Sequence, residues 1–146
     1  ITRSFNHTGP RQQDTFAIPN FAKQIAMIEA GSPPVIKTGN LNAIRDFSDV
    51  RDIINAYISL VDKGIFGEVY NVCSGKGFSI KELLSKLIAI SGMEIRTEVD
   101  ESRLRDVDIP RLIGDNRKII NQTGWKPNID INRTLTDILE YWRAKI

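Results

Sequence analysis

Apolar residues along the chain change period several times, and each change marks an element. Ile1-Thr2-Arg3-Ser4-Phe5 reads as a short strand running into a turn-rich stretch over 6–13. Ile18, Phe21, Ile25 and Ile28 then fall on one helical stripe that ends at Gly31 and Pro33-Pro34. Val35–Thr38 alternates as a short strand stopped by Gly39-Asn40. A helix is predicted over 49–63, with Val50, Ile53, Ile54, Tyr57, Leu60 and Val61 turned inward, Ser48 or Asp49 as N-cap and Gly64 as stop. Val69-Tyr70-Asn71-Val72 follows as a strand. Ser79-Ile80-Lys81-Glu82 has the form of a capping box opening a helix over 80–91, which stops at Gly92. A strand over 95–99, a short helix over 115–123 and a last helix starting after Asn132 complete the pattern; the last carries Leu135, Ile138, Leu139 and Trp142 on one face. Helices alternating with short strands predict an α/β or mixed α+β class.

Composition narrows the function. The 146 residues suit one unit with a real core. A net charge of +2 gives no general attraction for nucleic acid or an acidic membrane. One cysteine, Cys73, excludes an internal disulfide, and with one histidine, His7, the chain lacks a Cys/His zinc cage, so no metal site is expected although a carboxylate site stays formally open. No apolar run approaches the roughly 20 residues of a membrane span. A reducing, cytoplasmic setting is the default expectation. The chain opens on Ile1 in β-branched residues, which reads as a piece of something longer.

Two short motifs look chemical and are better explained otherwise. Gly75-Lys76-Gly77 is half of a dinucleotide fingerprint, but Ile80 stands where the third glycine belongs, so it reads as a turn feeding an N-cap. Tyr141-Trp142-Arg143-Ala144-Lys145 has a Tyr-x-x-x-Lys spacing, yet it lies at the end of a helix whose apolar stripe already accounts for its neighbours. From Arg96 to Lys118 six basic residues (Arg96, Arg103, Arg105, Arg111, Arg117, Lys118) meet six acidic ones (Glu98, Asp100, Glu101, Asp106, Asp108, Asp115). That balance suits solvated ion pairs, or a pocket where an arginine grips a phosphate beside a carboxylate that takes a hydroxyl, and not a nucleic-acid face. Phe5-Asn6-His7-Thr8-Gly9-Pro10-Arg11 places polar groups just past a strand end, where open α/β sheets bind ligands. Arg45-Asp46 reads alone either as a surface salt bridge with a cap or as part of a site.

Together, Arg3-Ser4-Phe5-Asn6 with Gly9-Pro10-Arg11, Gly39-Asn40…Arg45-Asp46-Phe47, Val69-Tyr70-Asn71-Val72…Ser74-Gly75, Arg105-x-x-Asp108, Gly114-Asp115…Lys118 and Gly124-Trp125-x-Pro127 resemble the C-terminal half of extended short-chain dehydrogenase/reductases (SDRs) acting on nucleotide sugars. Within them, Phe5-Asn6-His7 and Gly39-Asn40-Leu41 resemble the branch of GDP-mannose 4,6-dehydratases and GDP-6-deoxy-4-keto-mannose reductases, while Phe16…Ile18-Pro19…Phe21-Ala22-x-Gln24-Ile25, Asn71-Val72-Cys73-Ser74-Gly75 and Asp108-Ile109-Pro110-x-Leu112 lean to the reductases. Asp106 departs from the family, which commonly has proline after the arginine.

The resemblance implies an α/β fold: terminal strands and helices of a Rossmann-type sheet interleaved with a small α+β substrate-binding domain. Residues 1–15 and 40–78 would belong mainly to the nucleotide-binding sheet, and 16–39 and 79–146 to the substrate domain. It implies Asn6, Arg45, Arg105 and Asp108 as contacts to a GDP-sugar, and Ser4 and Phe5 at the edge of an NAD or NADP cofactor. The family's glycine-rich loop and working tyrosine lie upstream of Phe5-Asn6, so no catalytic residue is assigned here. The fragment alone is expected to be inactive, and an apolar helix face around 50–61, left uncovered by the missing N-terminal half, is expected to drive homo-oligomerisation. A dehydratase fragment and a non-catalytic binding or oligomerisation module are the alternatives; neither a nucleic-acid nor a membrane partner is expected.

Overall fold

The structure is a computed structural model that describes residues 1–104 and 109–146. Strands β1 (Thr2–Ser4) and β2 (Asn6–Thr8) are followed by helix α1 (Ala17–Glu29), β3 (Val35–Thr38), β4 (Ile44–Asp49), α2 (Val50–Lys63), β5 (Tyr70–Val72), β6 (Gly77–Ser79), α3 (Ile80–Ser91), β7 (Arg96–Val99), β8 (Arg111–Leu112), α4 (Arg117–Thr123) and α5 (Ile131–Arg143). Short β pairings and interspersed helices give the α/β class that the pattern predicts.

Local chemistry explains most boundaries. Asp49 caps α2 by accepting the Arg51 amide, and Ser79 caps α3 by accepting that of Glu82. Gly92 and Gly124 close α3 and α4 in the left-handed region that a side chain resists. Two starts differ from expectation by a turn or less. α4 begins at Arg117 because Asp115 spends its carboxylate on the Arg117 amide and guanidinium, and α5 begins at Ile131 because Asp130, before Asn132, is the cap.

β1 pairs in parallel with β5, and β3 with β7. The third sheet is built on β4, whose end pairs with β2 while its start pairs with β6 and β8. Periodicity does not reveal β2, β4, β6 and β8, which fall in segments that read as turn or loop.

Two apolar clusters hold the elements. In the larger, Ile18, Phe21 and Ile25 of α1, Leu83, Leu84 and Leu87 of α3, and Leu135, Ile138 and Leu139 of α5 enclose Ile36 and Phe47. In the smaller, Ile53 and Ala56 of α2 pack with Tyr70 and Val72 of β5, Ile119 of α4 and Trp125. The inward set expected for α2 is therefore corrected: Ile53 is buried, but Ile54, Tyr57 and Val61 are exposed, Val61 to 90%. The helix has two apolar faces, and among the described residues only one finds a partner.

Candidate functional site

β4 organises the candidate site. Its register sets Phe47 opposite Asn6 of β2, and Arg45 opposite Phe78 of β6 and Leu112 of β8. Residues opposed across strands share a face, and alternation puts Arg45 and Phe47 on that same face. Asn6 and Arg45 thus lie together, with Cα atoms roughly 8 Å apart from one strand spacing across and two residues along. Asn6 is exposed; Arg45 is half-buried and its Nη1 donates to its own neighbour's carbonyl, Ile44 O, at 2.9 Å.

Asp46 points to the opposite face, and the reading of Arg45-Asp46 as a surface salt bridge with a cap fails there. Asp46 is 1% exposed. Its Oδ1 accepts the Ser74 amide at 2.8 Å and the Ser74 hydroxyl at 2.7 Å, while its Oδ2 accepts the amides of Gly75 at 2.9 Å and Gly114 at 3.2 Å. Such a set of donors favours a buried carboxylate that would otherwise be costly. It also explains Gly75-Lys76-Gly77: the Ser74 and Gly75 amides that a phosphate loop would offer to a ligand are consumed by Asp46, so the segment is a turn. Sequence reasoning missed Asp46 as the centre of this network because its partners are backbone groups of two distant loops; small residues in both (Ser74-Gly75 and Gly114) are the only trace.

Phe5 lies between β1 and β2, its amide bonded to Val72 O at 3.0 Å. Its ring edge rests on Gly114, where an added Cβ would stand 2.9 Å from Phe5 Cε2 and 2.4 Å from Cys73 Sγ. Cys73 is buried in this packing, and burial, reinforced by the negative charges of Asp46 and Asp115, pushes its thiol up to about 12. Ser4, exposed at the end of β1, shares a 2.6 Å hydrogen bond with the Tyr57 hydroxyl of α2.

The other two expected substrate contacts, Arg105 and Asp108, lie outside the described residues. On one side, Arg103 donates from Nη1 to Asn20 Oδ1 of α1 at 2.7 Å and from Nε to Asp100 at 3.1 Å. On the other, Pro110 O accepts the Ile44 amide at 2.9 Å where β8 joins β4. Elsewhere in the mixed-charge stretch the ion pairs are solvated: Arg117 with Asp115, whose carboxyl the guanidinium pulls down to about 2, and Lys118 with Glu68. Asp115, Arg117 and Lys118 line an open depression of about 400 Å³ beside Asn71 of β5. Lys145 stands 5.8 Å from the Tyr141 ring centroid just past the end of α5, as ordinary helix-end packing.

The family profile for GDP-mannose 4,6 dehydratase matches residues 1–138, and the chain belongs to that family. It is similar to the GDP-6-deoxy-D-mannose reductase of Pseudomonas aeruginosa, with 38% identity over all of this chain and 48% of that protein. It is also similar to the GDP-6-deoxy-D-talose 4-dehydrogenase of Aggregatibacter actinomycetemcomitans, with 32% identity over 85% of this chain and 41% of that protein. Among solved structures, RMD from Pseudomonas aeruginosa complexed with NADPH superposes with a TM-score of 0.95 at 37% identity, over 100% of this chain and 48% of that one. UDP-glucose 4-epimerase of Thermotoga maritima with UDP-glucose follows the same fold, with a TM-score of 0.82 at 26% identity over 99% of this chain and 46% of that one. The chain spans about half the length of the curated relatives it matches.

Proposed function

We propose that the chain is the substrate-side half of an NAD(P)-dependent nucleotide-sugar reductase that reduces the C4 ketone of a GDP-4-keto-6-deoxy-hexose. The observation that carries this reading is the β2–β4 register, which brings Asn6 and Arg45 to one face one residue beyond Phe5. Arg45 grips the diphosphate, since a planar guanidinium matches phosphate oxygens two at a time. Asn6 donates its side-chain amide to the same group. Arg105 adds a second phosphate contact and Asp108 accepts a ribose hydroxyl. Phe5 and Ser4 border the nicotinamide end of the cofactor, to which Phe5, closely packed on Gly114 and the buried Cys73, offers an apolar wall.

A cofactor bound at that edge would supply the hydride for the carbonyl carbon, and a tyrosine in the other half of the enzyme would supply the proton for the carbonyl oxygen. Residues 1–15 and 40–78 join that half's sheet, and 16–39 with 79–146 form the substrate domain. The partner half packs on β1 and the open face of α2, where Ile54, Ile58 and Val61 are exposed. On this reading the 146 residues alone have no turnover. The alternative of a 4,6-dehydratase rests on the same site and on the family match over 1–138; the 38% identity to a reductase favours reduction.

The test is turnover by the complete polypeptide that carries this chain, supplied with NADPH and a GDP-4-keto-6-deoxy-hexose. Oxidation of NADPH that stops with R45A supports the reading. Conversion of GDP-mannose to the 4-keto sugar without net NADPH consumption would favour the dehydratase.

A further inference from the structure

The two faces of β4 carry different partners, and one buried side chain ties them. Arg45 stands on the face shared with Asn6, and Asp46 on the other. The four hydrogen bonds into Asp46 come from two loops that also meet through Cys73, Asn116 and Gly114. The Gly114 backbone that Asp46 holds is the surface against which Phe5 rests. A shift of Gly114 toward Phe5 has no slack to absorb it, because a single added carbon there would already overlap both Phe5 and Cys73.

We propose that Asp46 is a positioning residue that sets the distance between the diphosphate anchor at Arg45 and the cofactor wall at Phe5. It touches neither ligand. The strand fixes Arg45 and Asp46 relative to each other, the Asp46 carboxylate fixes the 74–75 turn and Gly114, and Gly114 fixes the ring of Phe5. A substrate held by its diphosphate then presents its ketone at a distance from the nicotinamide that depends on the Asp46 network. This inference rests on the reductase reading above.

In D46N, an amide NH2 replaces one carboxylate oxygen and faces backbone N–H groups, so part of the network turns from attraction to repulsion while size is kept. Kinetics of the complete enzyme test the role. The expected result is a kcat lower by about 10- to 100-fold, the scale of a small misplacement of reacting groups, with KM for the GDP-sugar changed less than about 3-fold. Should D46N fail to fold, S74A removes the hydroxyl donor to Oδ1 together with that hydroxyl's bonds to the Lys76 backbone, leaving the three amide donors in place; it should lower kcat by roughly 2- to 5-fold in the same sense. An unchanged kcat in the folded variant, with only a lower Tm, would make Asp46 purely structural and overturn the proposal. So would a raised KM at unchanged kcat, which would put Asp46 in contact with substrate. Wild-type enzyme that turns over no GDP-keto-sugar would instead overturn the reductase reading and this inference with it.

Discussion

The hydroxyls of Ser4 and Tyr57 meet at 2.6 Å, joining the end of β1 to the exposed face of α2. That bond sits at the margin of an uncovered apolar surface formed by Ile54, Ile58, Val61, Ile65 and Phe66, the last two in the turn after α2. Monomeric proteins rarely leave so many large apolar side chains contiguous in water. The chain by itself is therefore expected to associate. Sedimentation equilibrium should show a concentration-dependent dimer or larger species, weakened by I58E/V61E on the outer face of α2; a compact monomer at every concentration would contradict this.

Acid should loosen the molecule through Asp49. The carboxylate is 2% exposed, and although burial works against its charge, the Arg51 side chain and amide and the Thr134 hydroxyl hold its carboxyl below the usual value. A lowered native pKa means the ionised form stabilises the fold above the unfolded value of about 4, and this contribution is lost as pH falls through the lower native pKa. D49A should cost about 2–3 kcal/mol, combining a lost cap with the loss of the short Thr134 hydroxyl bond, which leaves that hydroxyl only the longer one to Asp130 O. It should also flatten the acid limb of a Tm-against-pH curve, which differential scanning calorimetry reads directly.

Cys73 should be chemically silent in the native chain. With its thiol pushed from 9.0 up to about 12 by burial, the thiolate that reacts is scarce at pH 8. Ellman's reagent should label it only after unfolding. Between about pH 9 and 12 the unfolded chain releases this proton while the native one keeps it, so the site's contribution to stability falls as pH rises through that window.

Gly114 has no room for a methyl group. The Cβ of alanine would lie 2.4 Å from Cys73 Sγ, so G114A should destabilise by about 1–3 kcal/mol, as overpacking does. C73A should recover part of that loss and C73A alone should cost less; urea denaturation of the four proteins in a double-mutant cycle gives the coupling.

The parts of this architecture written in local chemistry were legible in the sequence. The caps Asp49 and Ser79 and the stops Gly92 and Gly124 act within a few residues of themselves, and so do the stripes of α1, α3 and α5. The sheet on β4 was not legible. β2, β6 and β8 are two or three residues long, too short for alternation to register, and they exist because β4 offers its edges. The inward face expected for α2 combined two apolar stripes, and only the one bearing Ile53 and Ala56 meets the core. For Asn6 and Arg45 the family resemblance implies substrate contacts, and the register sets both on one face of β4. The roles of Asp46 and Asp52 were not legible: each binds backbone amides far along the chain, Asp52 those of Asn128 and Ile129, and an amide carries no sequence signature.

The central claim is that Arg45 holds the diphosphate of a guanosine sugar nucleotide. Calorimetric titration of GDP into the complete protein, wild type against R45A, tests it most directly. A charge-assisted contact of this kind contributes about 1.5–3 kcal/mol, so R45A should bind GDP roughly 10- to 100-fold more weakly at an unchanged fold. Equal affinity in the two proteins would contradict the account.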